Sequence, residues 1–153
     1  MEDTAGMKLH IINGWDDPLV NLIDHDPVRP HIPVAQRLGN NAQVLVLINN
    51  DAPMSVVCVS YTNTVPVDES QLFDHSAVNP SVAVLYTIWS LQRGGGQSMI
   101  DHAAQHIRCT QPTVTRMVTL SPLTSMARNF HTRNGARELQ VNALTVNFEY
   151  DLD

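Results

Sequence analysis

Positive charge is what this sequence has least of. Lys8 is the only lysine in 153 residues, and nine basic residues stand against fifteen acidic ones, for a formal net charge of −6. A surface made for a nucleic-acid backbone neutralises phosphates with lysine and arginine, so that class of partner is not expected. Cysteine is scarce as well. Cys58 and Cys109 are the only two; both lie in apolar surroundings and read as reduced and buried, which excludes a disulfide framework. No run approaches the roughly eighteen apolar residues of a membrane span. The start Met1-Glu2-Asp3 is neither basic nor apolar, so no secretory leader is expected and the expected location is cytoplasmic. With 43% hydrophobic residues, a chain of this size can bury a core without covalent staples. It reads as a single domain over 1–153, with an irregular and helical N-terminal part over 1–42 and the core of the fold over 43–153.

The few cations are unevenly spread. Residues 1–92 carry ten acids against Lys8, Arg29 and Arg37, whereas residues 93–153 carry six arginines against five acids. Arginine is suited to fixed bidentate contacts with phosphate, so the C-terminal half is the place to look for a compact anionic ligand.

Residues 1–42 are rich in Asp, Pro, Gly and Asn, with short apolar pieces at 19–23 and 34–38 that read as short helices. From Gln43 the character changes. Val44–Ile48 and Met54–Tyr61 are strand runs separated by the turn residues Asn49-Asn50-Asp51-Ala52-Pro53, an antiparallel hairpin. A polar connection over 62–80 follows. Ser81–Ser90 is nearly continuous in strand formers, as expected of a mid-sheet strand covered on both faces, with Tyr86 and Trp89 read chiefly as core. Three glycines come next, and then positions 99, 100, 103, 104 and 107 carry apolar residues at helical spacing up to Arg108. A strand over 113–120 ends at Ser121-Pro122. A helix over 123–134 stops at Asn134-Gly135, and alternation over 139–150 gives a closing strand. Strands first in a hairpin and then alternating with helices indicate a mixed α/β sheet.

The strand, glycine turn and helix over 81–108 place backbone N–H groups and the positive end of a helix dipole around one point, where a phosphate can sit. Glycine there lets an anion approach the backbone closely. His102 and His106 have the i, i+4 spacing of metal ligands on one helix face, but no Glu or Cys accompanies them, and no metal is expected. Asp68, Glu69, Glu149 and Asp151 are acids able to deprotonate an incoming amine; none is singled out as the base.

Arg93-Gly94-Gly95-Gly96-Gln97-Ser98 resembles the R-G-x-G-x-G/A signature with which GNAT acyltransferases hold the coenzyme A pyrophosphate, with Ser98 at the last small position. About thirty residues on, Ala127–Ala136, with Phe130 and His131 at its centre, resembles their second signature, A-x-x-F-Y-x-x-x-G-F; His131 takes the usual tyrosine position, and Thr124 stands where many members have asparagine. Within that fold, Val84–Ser90, Thr119-Leu120-Ser121-Pro122 and Phe130-His131-Thr132-Arg133-Asn134-Gly135-Ala136 look like the catalytic domain of malonyl-CoA decarboxylases. Their catalytic serine and histidine match Ser121 and His131. Those enzymes carry a long segment between the pair, which is nine residues here, and a helical domain outside the part that resembles this sequence.

The resemblance implies an α/β (α+β) GNAT-type fold: a mixed, mainly antiparallel sheet of six or seven strands with helices on both faces. It implies acetyl-CoA, malonyl-CoA or a related coenzyme A thioester as ligand, with the loop Arg93–Ser98 on the pyrophosphate and the reacting thioester near Ile88, Trp89, Leu120 and Phe130. Acyl transfer to an amine acceptor is the first expectation. His131 is the general acid, since an unperturbed imidazole titrates near neutrality. Decarboxylation by Ser121 and His131 is the alternative, and a non-catalytic acyl-CoA-binding module is the third; for any of them a homodimer stays open.

Overall fold

The computed structural model describes residues 6–152; the N-terminal residues Met1-Glu2-Asp3, read above for a leader, lie outside them. Eight strands form one sheet in the order β1-β2-β3-β4-β5-β8-β6, with β7 pairing β8. The strands are β1 Met7–Ile11, β2 Ala42–Asn49, β3 Ala52–Thr62, β4 Val82–Ser90, β5 Arg116–Thr119, β6 Ser121–Pro122, β7 Arg137–Val141 and β8 Thr145–Tyr150. All pairings are antiparallel except β4 with β5. The helices are α1 Val34–Arg37, α2 Gly95–Thr110 and α3 Ser125–Arg133, with 3-10 turns at Val20–His25 and Glu69–Gln71.

The β-branched runs make the centre of the sheet. Val44–Leu47 and Val56–Val59 are fully buried and face each other across the hairpin. Its tip, Asn50-Asp51, has φ of 53° and 68°, the left-handed pair that matches a two-residue turn to strand twist. One face of the sheet packs Leu45, Val57, Leu85 and Phe148 against Met99, Ile100, Ala103 and Ile107 of α2, the positions picked out by helical spacing. The other face packs Val44, Val46, Cys58 and Tyr86 against Ile23, Ile32, Leu72 and the flank of α1. Helices thus cover both faces, and β4 lies mid-sheet.

Four sequence expectations change. The N-terminal part carries a strand, β1, antiparallel to β2, and with the two-residue β6 this brings the sheet to eight strands. The closing strand is a hairpin, β7 and β8, broken where Asn142 N–H bonds Thr145 O at 2.8 Å. The strand expected over 113–120 is only Arg116–Thr119, because the chain leaves β4 at that point. Cys109 is exposed, on the outer side of α2, while Cys58 is buried as expected. No described helix is long and apolar enough to cross a membrane.

Candidate functional site

β4 and β5 run parallel only from Val82 and Arg116 to Leu85 and Thr119, and the last link between them is Leu120 N–H to Leu85 O at 3.1 Å. Beyond it β4, with a bulge at Tyr86, stays on β3 as far as Ser90. The segment after β5 leaves β4 but stays on β8 through Ser121 and Pro122. The divergence opens a cavity of about 250 Å³. Of the residues singled out from sequence, Ile88, Trp89, Gly96, Leu120, Ser121, Phe130 and His131 line it; Arg93, Gly94, Gly95, Gln97 and Ser98 do not. Those five surround the N-terminus of α2 at one end of the cleft.

The glycines there serve packing as well as approach. Gly94 caps α2 with φ of 79°, a conformation that favours glycine. The helix then begins earlier than its apolar pattern, at Gly95. A Cβ on Gly95 would lie 2.6 Å from Met54 O, and one on Gly96 2.6 Å from the Phe130 ring. Two of the three glycines therefore let α2 sit on β3 and let Phe130 reach the cleft. Gly95 N–H is bonded to Gln92 O and Ser98 N–H to Gly94 O, whereas Gly96 and Gln97 N–H have no acceptor among the described residues. With the helix dipole they form a donor pair for an anion. Arg93, exposed beside them, has no ion-pair partner among the described residues.

His131 is buried, boxed by Phe130, Phe148 and Tyr150 at ring-centroid distances of 5.0, 5.3 and 5.7 Å. Burial pushes its pKa down to about 4, so the expectation of an imidazole titrating near neutrality is corrected: the ring is neutral at pH 7. Its Nδ1 lies 2.6 Å from Tyr150 Oη, and the other ring nitrogen has no partner among the described residues. Ser121, also buried, lies 2.8 Å from Thr119 Oγ1. Thr119 Oγ1 already accepts from Phe148 N–H at 3.0 Å. With Thr119 donating to Ser121, the Ser121 O–H is left for the cavity. Thr124 caps α3 by accepting from Ala127 N–H at 3.1 Å, which occupies the hydroxyl standing at the asparagine position.

Sequence reasoning missed the group that holds the cleft open. Asp26 accepts from Thr87 Oγ1 at 2.9 Å on β4 and from Arg37 Nη1 at 2.7 Å. Arg37 also donates to Arg29 O at 2.6 Å and Ile32 O at 3.0 Å, and Arg29 Nη2 donates to Leu120 O at 3.0 Å. The segment 26–37 thus ties both diverging strands at the point of divergence. Arg37 is fully buried. Burial opposes the Asp26 charge, but the N–H groups of Arg29 and Val28, the Arg37 guanidinium and the Thr87 hydroxyl together hold its carboxyl below the usual range.

The acids considered as bases are committed elsewhere. Glu149 is bound by Arg116 at 2.8 Å and by Arg137 at 3.2 Å, Asp151 by Arg137, Glu69 by Arg29 and His31, and Asp68 caps Ser70 N–H. The same pairs occupy Arg116 and Arg137, and Arg128 pairs with Glu138, so three of the six C-terminal arginines are bound to acids within the protein. His102 Nδ1 lies 2.8 Å from Ser98 O and His106 Nε2 3.1 Å from Gln43 Oε1. No cluster of three metal-ligating side chains occurs among the described residues.

A mixed sheet whose parallel pair splays over a helix N-terminus is the GNAT fold, and solved structures of that fold superpose on this chain. A malonyl-CoA decarboxylase from Agrobacterium vitis matches 81% of this chain with 35% of its own, at 24% identity and a TM-score of 0.67. One from Cupriavidus metallidurans matches 99% with 62% of its own, at 16% identity and a TM-score of 0.72. A Bacillus subtilis acetyltransferase in complex with CoA matches 95% with 98% of its own, at 10% identity and a TM-score of 0.66. The chain therefore spans between about a third and three fifths of those decarboxylase structures. No sequence-family profile and no curated protein sequence matches it.

Proposed function

We propose that the cleft binds a coenzyme A thioester and that the chain decarboxylates a malonyl-type acyl group. The acceptor-free reaction is favoured by one observation: Ser121 and His131 line the same cavity, and among the described residues no carboxylate or cationic side chain stands on its walls. In this reading the pyrophosphate takes the N–H groups of Gly96 and Gln97 with Arg93 beside them. The pantetheine arm follows Ile88–Ser90, and the acyl end meets Ser121 and His131.

The chemistry follows from what lines the cavity. A malonyl carboxylate among Leu85, Ile88, Leu120 and Phe130 loses hydration, which raises it relative to a transition state with spread charge. As the C–C bond breaks and CO2 leaves, the electron pair moves onto the thioester oxygen, which in this reading accepts from Ser121 O–H. The enolate carbon then takes the proton from His131; a thioester enolate is basic enough to take it from a neutral imidazole, which solvent reprotonates. Incubation with malonyl-CoA and no amine should yield acetyl-CoA. His131→Asn should lower turnover about 100-fold or more, and Ser121→Ala about 10- to 100-fold.

Acyl transfer to an amine is the second reading, favoured by the likeness in fold to an acetyltransferase in complex with CoA. Amine-dependent release of coenzyme A from acetyl-CoA, with malonyl-CoA left intact, would replace the first reading by this one. A variant His131→Ala that keeps coenzyme A binding but loses turnover would exclude a non-catalytic binding module.

A further inference from the structure

The phenol of Tyr150 has one hydrogen-bond partner among the described residues, Nδ1 of His131 at 2.6 Å. Tyr150 is the last residue of β8 and itself buried. Its ring and that of Phe148, two positions earlier on the same face, close the imidazole in from one side. A buried hydroxyl whose hydrogen finds no acceptor is costly, and a phenol donates more strongly than it accepts. Both considerations put the hydrogen of this contact on Tyr150 and leave Nδ1 as acceptor. The ring proton of the neutral imidazole must then be on Nε2, the nitrogen without a partner among the described residues.

We infer that Tyr150 is the positioning residue of the site: its O–H donates to Nδ1, fixes His131 as the Nε2–H tautomer, and supports the ring when that proton is given up. The inference rests on the reading of His131 as proton donor. In that step the Nε2–H bond breaks and the C–H bond of the product forms. The N–H electron pair stays on the imidazole, which becomes anionic until water reprotonates Nε2 and hydroxide leaves to solvent. A donor already aimed at Nδ1 stabilises that negative charge as it builds, a role that neither Phe148 nor Phe130 can fill. A second, polar cavity of about 380 Å³ reaches Tyr150 between Asp101, Arg108 and Asp151. Were the phenol to turn its hydrogen to water there, Nδ1 would carry the ring proton and Nε2 would be bare.

The test uses the full chain labelled with ¹⁵N-histidine, with His131 assigned through His131→Gln, and the variant Tyr150→Phe, which keeps the ring and removes only the hydroxyl. Long-range ¹⁵N–¹H spectra at pH 7 should show His131 Nε2 protonated and Nδ1 unprotonated with the shift of a hydrogen-bond acceptor. Tyr150→Phe should lose that shift while binding coenzyme A within twofold of wild type. Its malonyl-CoA turnover should fall about tenfold, the loss expected of one hydrogen bond to a charged group. A protonated Nδ1 in the wild type, or unchanged turnover in Tyr150→Phe, would overturn the inference. If the wild type gives the expected spectrum but no acetyl-CoA from malonyl-CoA, the tautomer assignment holds, and the decarboxylase reading falls together with the proton-release role built on it.

Discussion

Protonating His131 in the folded chain means placing a charge among Phe130, Phe148 and Tyr150, and the pKa of about 4 expresses that cost. The unfolded chain takes the same proton near the ordinary value of 6.5. A histidine with a depressed folded pKa favours the unfolded state as pH falls below 6.5, until the folded form protonates near 4. Between pH 7.5 and pH 5 this residue should therefore remove about 2 kcal/mol of stability. Urea unfolding midpoints at the two pH values should show that loss, and His131→Gln should show less of it by that amount. The place of His131 was legible in Phe130-His131 and its distance from the glycine loop. Its neutrality was not, because Tyr150 and Phe148 come from a strand 17 to 19 residues further on. Ser121 was likewise visible as a strand end, but the Thr119 hydroxyl that orients it depends on β8 delivering Phe148 N–H.

Two helices and one loop set the shape of the cleft, and each can be disturbed separately. Gly95→Ala brings a Cβ against the backbone oxygen of Met54, which cannot move without β3; it should cost about 1–3 kcal/mol despite the better helix propensity of alanine. Gly96→Ala meets instead the end of the Phe130 ring, which can turn into the cleft. That variant should keep its unfolding midpoint within about 1 kcal/mol yet bind coenzyme A more weakly. Asp26→Asn leaves the Arg37 guanidinium buried without its carboxylate and should cost about 3–5 kcal/mol. Thr87→Val removes one of several bonds to Asp26 and should cost about 1 kcal/mol. Denaturant unfolding of the four variants checks the stabilities, and calorimetric titration of Gly96→Ala with coenzyme A checks its weaker binding. The hairpin, β4, α2 and α3 were legible because each carries its own periodicity and stop signals. The segment 26–37 was legible only as a short helix near its end: the task of Asp26, Arg29 and Arg37 is set by long-range contacts with Thr87 and Leu120, which no local pattern announces. β1 escaped for the same reason, since five residues of mixed burial become a strand only by pairing with β2.

Across the whole molecule, three of the six arginines in the C-terminal half are paired with Glu138, Glu149 and Asp151. Arg93 is the cation left free beside the donor pair of α2. A coenzyme A site there should depend on Arg93 and on salt, since an exposed cation and a helix N-terminus are both screened by it. Calorimetric titration of the full chain with coenzyme A tests the account most directly. One molecule should bind per chain, with affinity reduced about five- to tenfold by Arg93→Ala, the loss of one charge-assisted contact, and reduced further at high salt. Absence of binding by wild type and Arg93→Ala alike would contradict it.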